Sequence, residues 1–166
     1  MNIKKTVCII LAAMTVTCAC ASCGKKEDSD KGGDKAKTET VENIDVKAIA
    51  DQLKSDISYE DSLIEFDADK IEKIMGVSPD AYKSAKVYAS STGATPEEIA
   101  CFEANKDMTE AIEGSLTIRL ANQKSTFTDY KPEQAPKLDD AVLIVKGDYV
   151  FYCVSGNSAK AKEIIG

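Results

Sequence analysis

The chain has 166 residues, 28 of them acidic against 21 basic, and it contains neither histidine nor tryptophan. A net charge of −7 supplies no positive potential for nucleic acid or for a polybasic membrane contact. Without histidine there is no Ser-His-Asp or Cys-His machinery and no imidazole metal ligand.

Met1–Lys5 form a basic start, followed by an apolar run from Thr6 to about Ala19 that includes Val7, Ile9, Ile10, Leu11 and Val16. That run is shorter than the ~20 apolar residues a spanning helix needs, and its flanks are those of an export signal. It ends in Cys20-Ala21-Ser22-Cys23-Gly24, with the small residues Ala21 and Ser22 directly before a cysteine. The pattern predicts a lipoprotein signal peptide over residues 1–22, cleavage before Cys23, and a covalent lipid on the Cys23 thiol. Cys20 is the competing acceptor, and it occupies a position usually filled by leucine in such sites. An ordinary secretory signal with incidental cysteines is the alternative reading.

Residues 23–43 alternate charges with glycines and have no apolar pattern, so they predict a flexible tether. About 20 such residues span roughly 25 Å. Residues 44–166 then hold one globular domain.

Within it, Asp45 predicts the cap of a helix striped by Val46, Ile49, Ala50, Leu53 and Ile57. Leu63-Ile64-Glu65-Phe66 reads as strand or coil. Asp67-Ala68-Asp69 opens a short helix that Gly76 stops. Ala85–Ala89 reads as a strand. Thr95-Pro96-Glu97-Glu98 is a capping-box signature for a helix start, yet a strand at 85–89 needs a neighbour, and the return through residues 98–104 is read as strand.

Asp107 is expected to cap the longest helix, running to about Thr128, and Pro132 and Pro136 to mark a loop. Ala141–Lys146, Gly147-Asp148 and Tyr149–Ser155 form the clearest hairpin, with a two-residue type II′ turn. Its register pairs Val145 with Val150 and Leu143 with Tyr152 on one face, and Ile144 with Phe151 and Val142 with Cys153 on the other. Both faces are apolar, which calls for cover on both sides. Asn157-Ser158 caps a last short helix. The expected fold is α+β, with a mainly antiparallel four-stranded sheet of two hairpins and helices packed on it.

Cys101 and Cys153 fall in the folded part. They could close one disulfide in an oxidising compartment, but their apolar neighbours predict free, buried thiols. Arg119 is the only arginine, and Gln123 lies one helical turn on. The pair predicts either a donor fork for a ligand carboxylate or a structural clamp onto Asp139, Asp140 or the loop carbonyls around Tyr130-x-Pro132. Asp139-Asp140, Asp67-x-Asp69 and Glu60-Asp61 lack the spacing of a calcium loop, so no metal and no cofactor are expected.

The order Arg119, Gln123, Phe127, Tyr130-x-Pro132, Pro136-x-Leu138-x-x-Ala141 and Lys146-Gly147-x-Tyr149 resembles an uncharacterised family of small lipoproteins from Gram-positive anaerobic bacteria. The resemblance covers residues 44–166. It implies a lipid-anchored location and an α+β domain of unknown function, and no activity. Two functions remain open. The first is a non-enzymatic, extracytoplasmic module that binds an envelope protein, a peptide or a wall component. The second is a small-ligand receptor or enzyme with a His-free site near Arg119, Gln123 and Tyr130.

Overall fold

The computed structural model describes residues 43–166. The predicted signal peptide, Cys20, Cys23 and all but the last residue of the predicted tether lie outside the described residues.

Helix α1, Val46–Asp56, starts where Asp45 accepts hydrogen bonds from the backbone N–H groups of Lys47 and Ala48. Strand β1, Leu63–Glu65, follows. Helix α2, Ala68–Lys70, is capped by Asp67 and runs on into a π-helical turn, Ile71–Met75. Gly76 ends that turn at φ +71°, a conformation that glycine adopts without a Cβ clash.

Strands β2, Tyr82–Ser90, and β3, Glu98–Ala104, form the first hairpin. Residues 98–104 are thus strand, and the capping-box signature before them starts no helix. Helix α3, Thr109–Tyr130, is the longest element. Asp107 does not cap it: Asp107 sits at φ +63° one residue ahead of Met108, which occupies the cap position without a side-chain bond. The segment after α3 is not a plain loop either. Pro132 and Pro136 fall in the first turns of a 3₁₀ turn, Pro132–Gln134, and of helix α4, Ala135–Asp139, where a missing N–H costs nothing. Strands β4, Val142–Lys146, and β5, Tyr149–Val154, form the second hairpin, and helix α5, Ser158–Ile165, is capped by Asn157.

The five strands make one antiparallel sheet in the order β1-β2-β3-β5-β4. The two hairpins join through β3 and β5, and the expected four strands become five because β1 pairs along the outer edge of β2, Ile64 opposite Ala89. In the second hairpin Val145 faces Val150, Leu143 faces Tyr152 and Val142 faces Cys153. Gly147 alone of the two turn residues has positive φ, +57°.

Helices cover both faces. On one, the π-helical turn, α3 and α4 bury Met75, Ile112, Leu116, Phe127 and Leu138 against Val87, Phe102, Val150 and Tyr152. On the other, α1 and α5 bury Ala50, Leu53, Ala161 and Ile165 against Ile99, Cys101, Phe151 and Cys153. Strand residues alternate between these two cores, so β3 and β5 read as almost unbroken apolar runs. Cys101 and Cys153 share the second core and are both free. The register sets Cys101 opposite Phe151 and Cys153 opposite Ile99, so the two thiols are diagonal rather than facing neighbours.

Candidate functional site

The alternation of β3 puts residues 98, 100, 102 and 104 toward α3. Three of these are Ala100, Phe102 and Ala104; the fourth is Glu98, whose side chain is fully buried. On α3 the core-facing stripe passes through Ile112, Leu116, Gln123 and Phe127. Gln123 therefore takes a position that helical spacing would give to an apolar residue. Arg119 lies one turn earlier at the edge of that stripe, with a quarter of its side chain exposed.

These three side chains meet. Arg119 Nη2 donates to Glu98 Oε2 at 3.0 Å, and Nε lies 3.3 Å from both carboxylate oxygens. Gln123 Nε2 donates to the same Oε2 at 3.0 Å. Burial pushes the Glu98 carboxyl above the usual carboxylate range, while the Arg119 guanidinium and the Gln123 amide pull it back. Two polar atoms beside them, Gln123 Oε1 and the Tyr152 hydroxyl, are buried with no hydrogen-bond partner among the described residues. The Tyr152 hydroxyl is shifted upward by burial and by the nearby Glu98 carboxylate.

Glu97, the preceding residue, is equally buried but serves a different set of elements. It accepts the backbone N–H groups of Glu60 and Asp61, the Thr95 hydroxyl at 3.1 Å and Lys137 Nζ at 2.8 Å. Lys137 also pairs with Glu60 at 2.8 Å, and Gln134 Nε2 donates to Glu60 at 2.9 Å. The Lys137 and Gln134 bonds hold the Glu60 carboxyl below its usual range. Asp61 accepts from the Ser90 and Thr92 hydroxyls and the Thr92 backbone N–H, which hold its carboxyl well below the usual range. The loop after β2 is thereby tied to the segment before β1.

Above Glu98 and Gln123 a cleft of about 280 Å³ opens between α3 and the strand edge, with Arg119, Asn122 and Thr126 on the helix side and Phe66 and Ile74 on the other. A second hollow of about 310 Å³ continues along α3 past Ile74 and Ile118 and shares Ile74, Arg119 and Asn122 with the first. Asn122 is exposed and its side chain makes no hydrogen bond among the described residues. The arrangement can bind and orient a guest. Glu98 and Glu97 are each buried and held by a cation.

The expected partners of Arg119 need correction. Arg119 is not joined to Asp139 or Asp140; its carboxylate is Glu98, and Asp139 instead pairs with Lys124 at 3.1 Å. Gln123 joins Arg119 in the cluster, whereas Tyr130 does not. Tyr130 is two-thirds exposed and packs edge-on against Phe127. Residues overlooked in the sequence are Glu97, Glu98, Lys137 and Tyr152. Glu98 and Gln123 did carry a signal: each is a polar residue at a core-facing position of its own element's period.

Fold and cleft together define an α+β domain with a buried ion pair beneath a half-open groove. The chain belongs to the family described as Domain of unknown function (DUF4358), which it matches over residues 55–155. That span runs from the end of α1 through β5 and includes every residue of the cluster. No curated protein and no solved structure matches the chain.

Proposed function

We propose that the chain is a lipid-anchored, extracytoplasmic binding module whose guest is held in the groove beside α3. The observation that carries this reading is the cluster at the groove floor. A solitary guanidinium is fixed side-on by a fully buried carboxylate, and its Nη1 group has no hydrogen bond among the described residues. Pinning a guanidinium in this way removes rotamer freedom before a guest arrives, which lowers the entropic cost of binding. The reading is non-enzymatic: Glu97 and Glu98 are each engaged by a cation, Lys137 and Arg119. Attachment through Cys23, with residues 23–43 as tether, would hold the domain just outside the membrane, as in the lipoproteins of Gram-positive anaerobes that it resembles. No helix among the described residues is long and apolar enough to cross a membrane.

A photo-crosslinking side chain placed at Asn122, in the groove, and separately at Lys162, on the opposite helix layer, tests the site in intact cells. Adducts with envelope material are expected from position 122 and not from 162. Adducts formed from 162 alone would move the binding surface to the α1–α5 face.

A further inference from the structure

We infer that the second hollow beside α3 takes the carboxylate of a singly charged guest whose apolar body lies against Ile74 and Ile118. The inference rests on the binding reading above and names the class of guest: an aliphatic monocarboxylate, such as a free peptide end or a short acyl chain.

Charge selects the sign first. Lys73 and Arg119 both line this hollow, and no acidic residue among those described does. Arg119 is already balanced by Glu98, which reaches it from β3 at 3.0 Å. Lys73, exposed on the π-helical turn, has no ion-pair partner among the described residues, and its sequence neighbours Asp69 and Glu72 line neither hollow. One positive charge is therefore left over in a concave site, and it attracts an anion. The chain as a whole carries −7, so a guest with two or more negative charges would meet repulsion that a single lysine does not offset. A carboxylate carries one.

Hydrogen bonding agrees with that choice. Asn122 lines the hollow, is exposed, and its side chain makes no hydrogen bond among the described residues. The Ser115 hydroxyl is not free to donate, because it is committed to the Gly76 carbonyl at 2.9 Å. The side-chain donors of the hollow are thus the Lys73 ammonium, the partly exposed Arg119 guanidinium and the Asn122 amide. A carboxylate accepts from all three, and two of those bonds are charge-assisted. A neutral hydroxyl or amide would leave the ammonium uncompensated.

The apolar body follows from the exposed surface. Five large hydrophobic side chains are exposed among the described residues, and two of them, Ile118 at 63% and Ile74 at 38%, line this one hollow. The other three, Ile64, Tyr130 and Val145, line neither hollow. Apolar surface gathered at a concavity marks a contact site. Ile74 follows Lys73 and Ile118 precedes Arg119, so the π-helical turn and α3 each bring one cation and one isoleucine. At about 310 Å³ the hollow has room for an aliphatic group of amino-acid size together with its carboxylate.

The test titrates the full chain with N-acetyl-L-leucine, isocaproate, N-acetyl-L-leucinamide, acetate and inorganic phosphate, by calorimetry and by amide NMR shifts. At least one of the first two should bind with a Kd below about 10 mM, shifting amides of Ile71–Met75 and of α3. The leucinamide lacks the charge and acetate lacks the aliphatic body, so each should bind about tenfold more weakly or not at all. Added salt should weaken the two acids. Tighter binding of N-acetyl-L-leucine supports a peptide end, and tighter binding of isocaproate an acyl chain. Lys73→Gln removes an exposed charge that bonds to nothing in the fold, and should weaken the acid about tenfold. Leucinamide binding as well as the acid, phosphate binding in preference to it, or binding unchanged in Lys73→Gln would overturn the carboxylate and keep the groove. Failure of both acids to bind would overturn the inference, while crosslinked adducts from position 122 would still uphold the binding reading. Adducts from Lys162 alone would remove the groove itself.

Discussion

Arg119→Ala is the most informative single substitution. It deletes three donor contacts to Glu98, at 3.0 to 3.3 Å, and leaves a fully buried carboxylate with only Gln123 as donor. Breaking a buried pair from one side costs about 3–5 kcal/mol. Here Arg119 is a quarter exposed, and Glu98 can relieve part of the strain by taking a proton, so the lower end applies: about 3 kcal/mol. For a domain of this size that corresponds to a fall in Tm of roughly 10–15 °C. The loss should depend on pH. Burial already raises the Glu98 carboxyl, and removing the guanidinium raises it further. The unfolded state then loses its proton first as pH rises, so the destabilisation grows above the ordinary glutamate pKa of ~4.3 and shrinks below it. Arg119→Lys should restore only part of the stability, because an ammonium lacks the planar side-on fork. Adding Glu98→Gln to Arg119→Ala should recover much of the loss, since a neutral amide no longer needs the cation. Thermal melts across pH are the assay. An Arg119→Ala melt superimposable on the parent at neutral pH would refute the reasoning and leave Arg119 as a ligand contact alone.

Three further outcomes follow from the same geometry. Cys101 and Cys153 should resist alkylation in the native chain and both react after denaturation without reductant. Burial pushes the Cys153 thiol up to about 11 and raises Cys101 as well, and recovery of a Cys101–Cys153 crosslinked peptide would reverse the expectation. Asp61→Asn should lower stability at neutral pH and make the acid limb of the stability curve shallower. A carboxyl with a depressed folded pKa stabilises above the ordinary aspartate value of ~3.9 and loses that contribution as pH falls through the folded one, so an unchanged acid limb would dismiss this role. Intact mass spectrometry of the membrane fraction should find Cys23 as a lipid-modified N-terminus, and an unmodified chain starting elsewhere would end that proposal.

Local pattern was enough to determine much of the architecture. The helix cap at Asp45, the stop at Gly76, the turn at Gly147 and the apolar alternation of residues 141–155 each depend on neighbours within a few positions. Such signals survive in the bare sequence because the physics that produces them is short-range. The weak element, Leu63–Glu65, was ambiguous for the complementary reason. A three-residue strand has little pattern of its own and becomes a strand only because the edge of β2 offers it hydrogen bonds.

The site depended on long-range packing. Thr95-Pro96-Glu97-Glu98 carries a capping-box signature, yet the pairing of β3 with both β2 and β5 draws residues 98–104 into the sheet and leaves Glu97 and Glu98 inside. Burying two adjacent carboxylates is tolerable only where separate cations arrive for each, Arg119 from α3 and Lys137 from α4. Those cations stand 21 and 40 residues away from their partners in the chain. The solitude of Arg119 and its turn-long relation to Gln123 were visible in sequence; that Glu98, and not Asp139 or Asp140, completes the cluster was settled only when sheet and helix packed together.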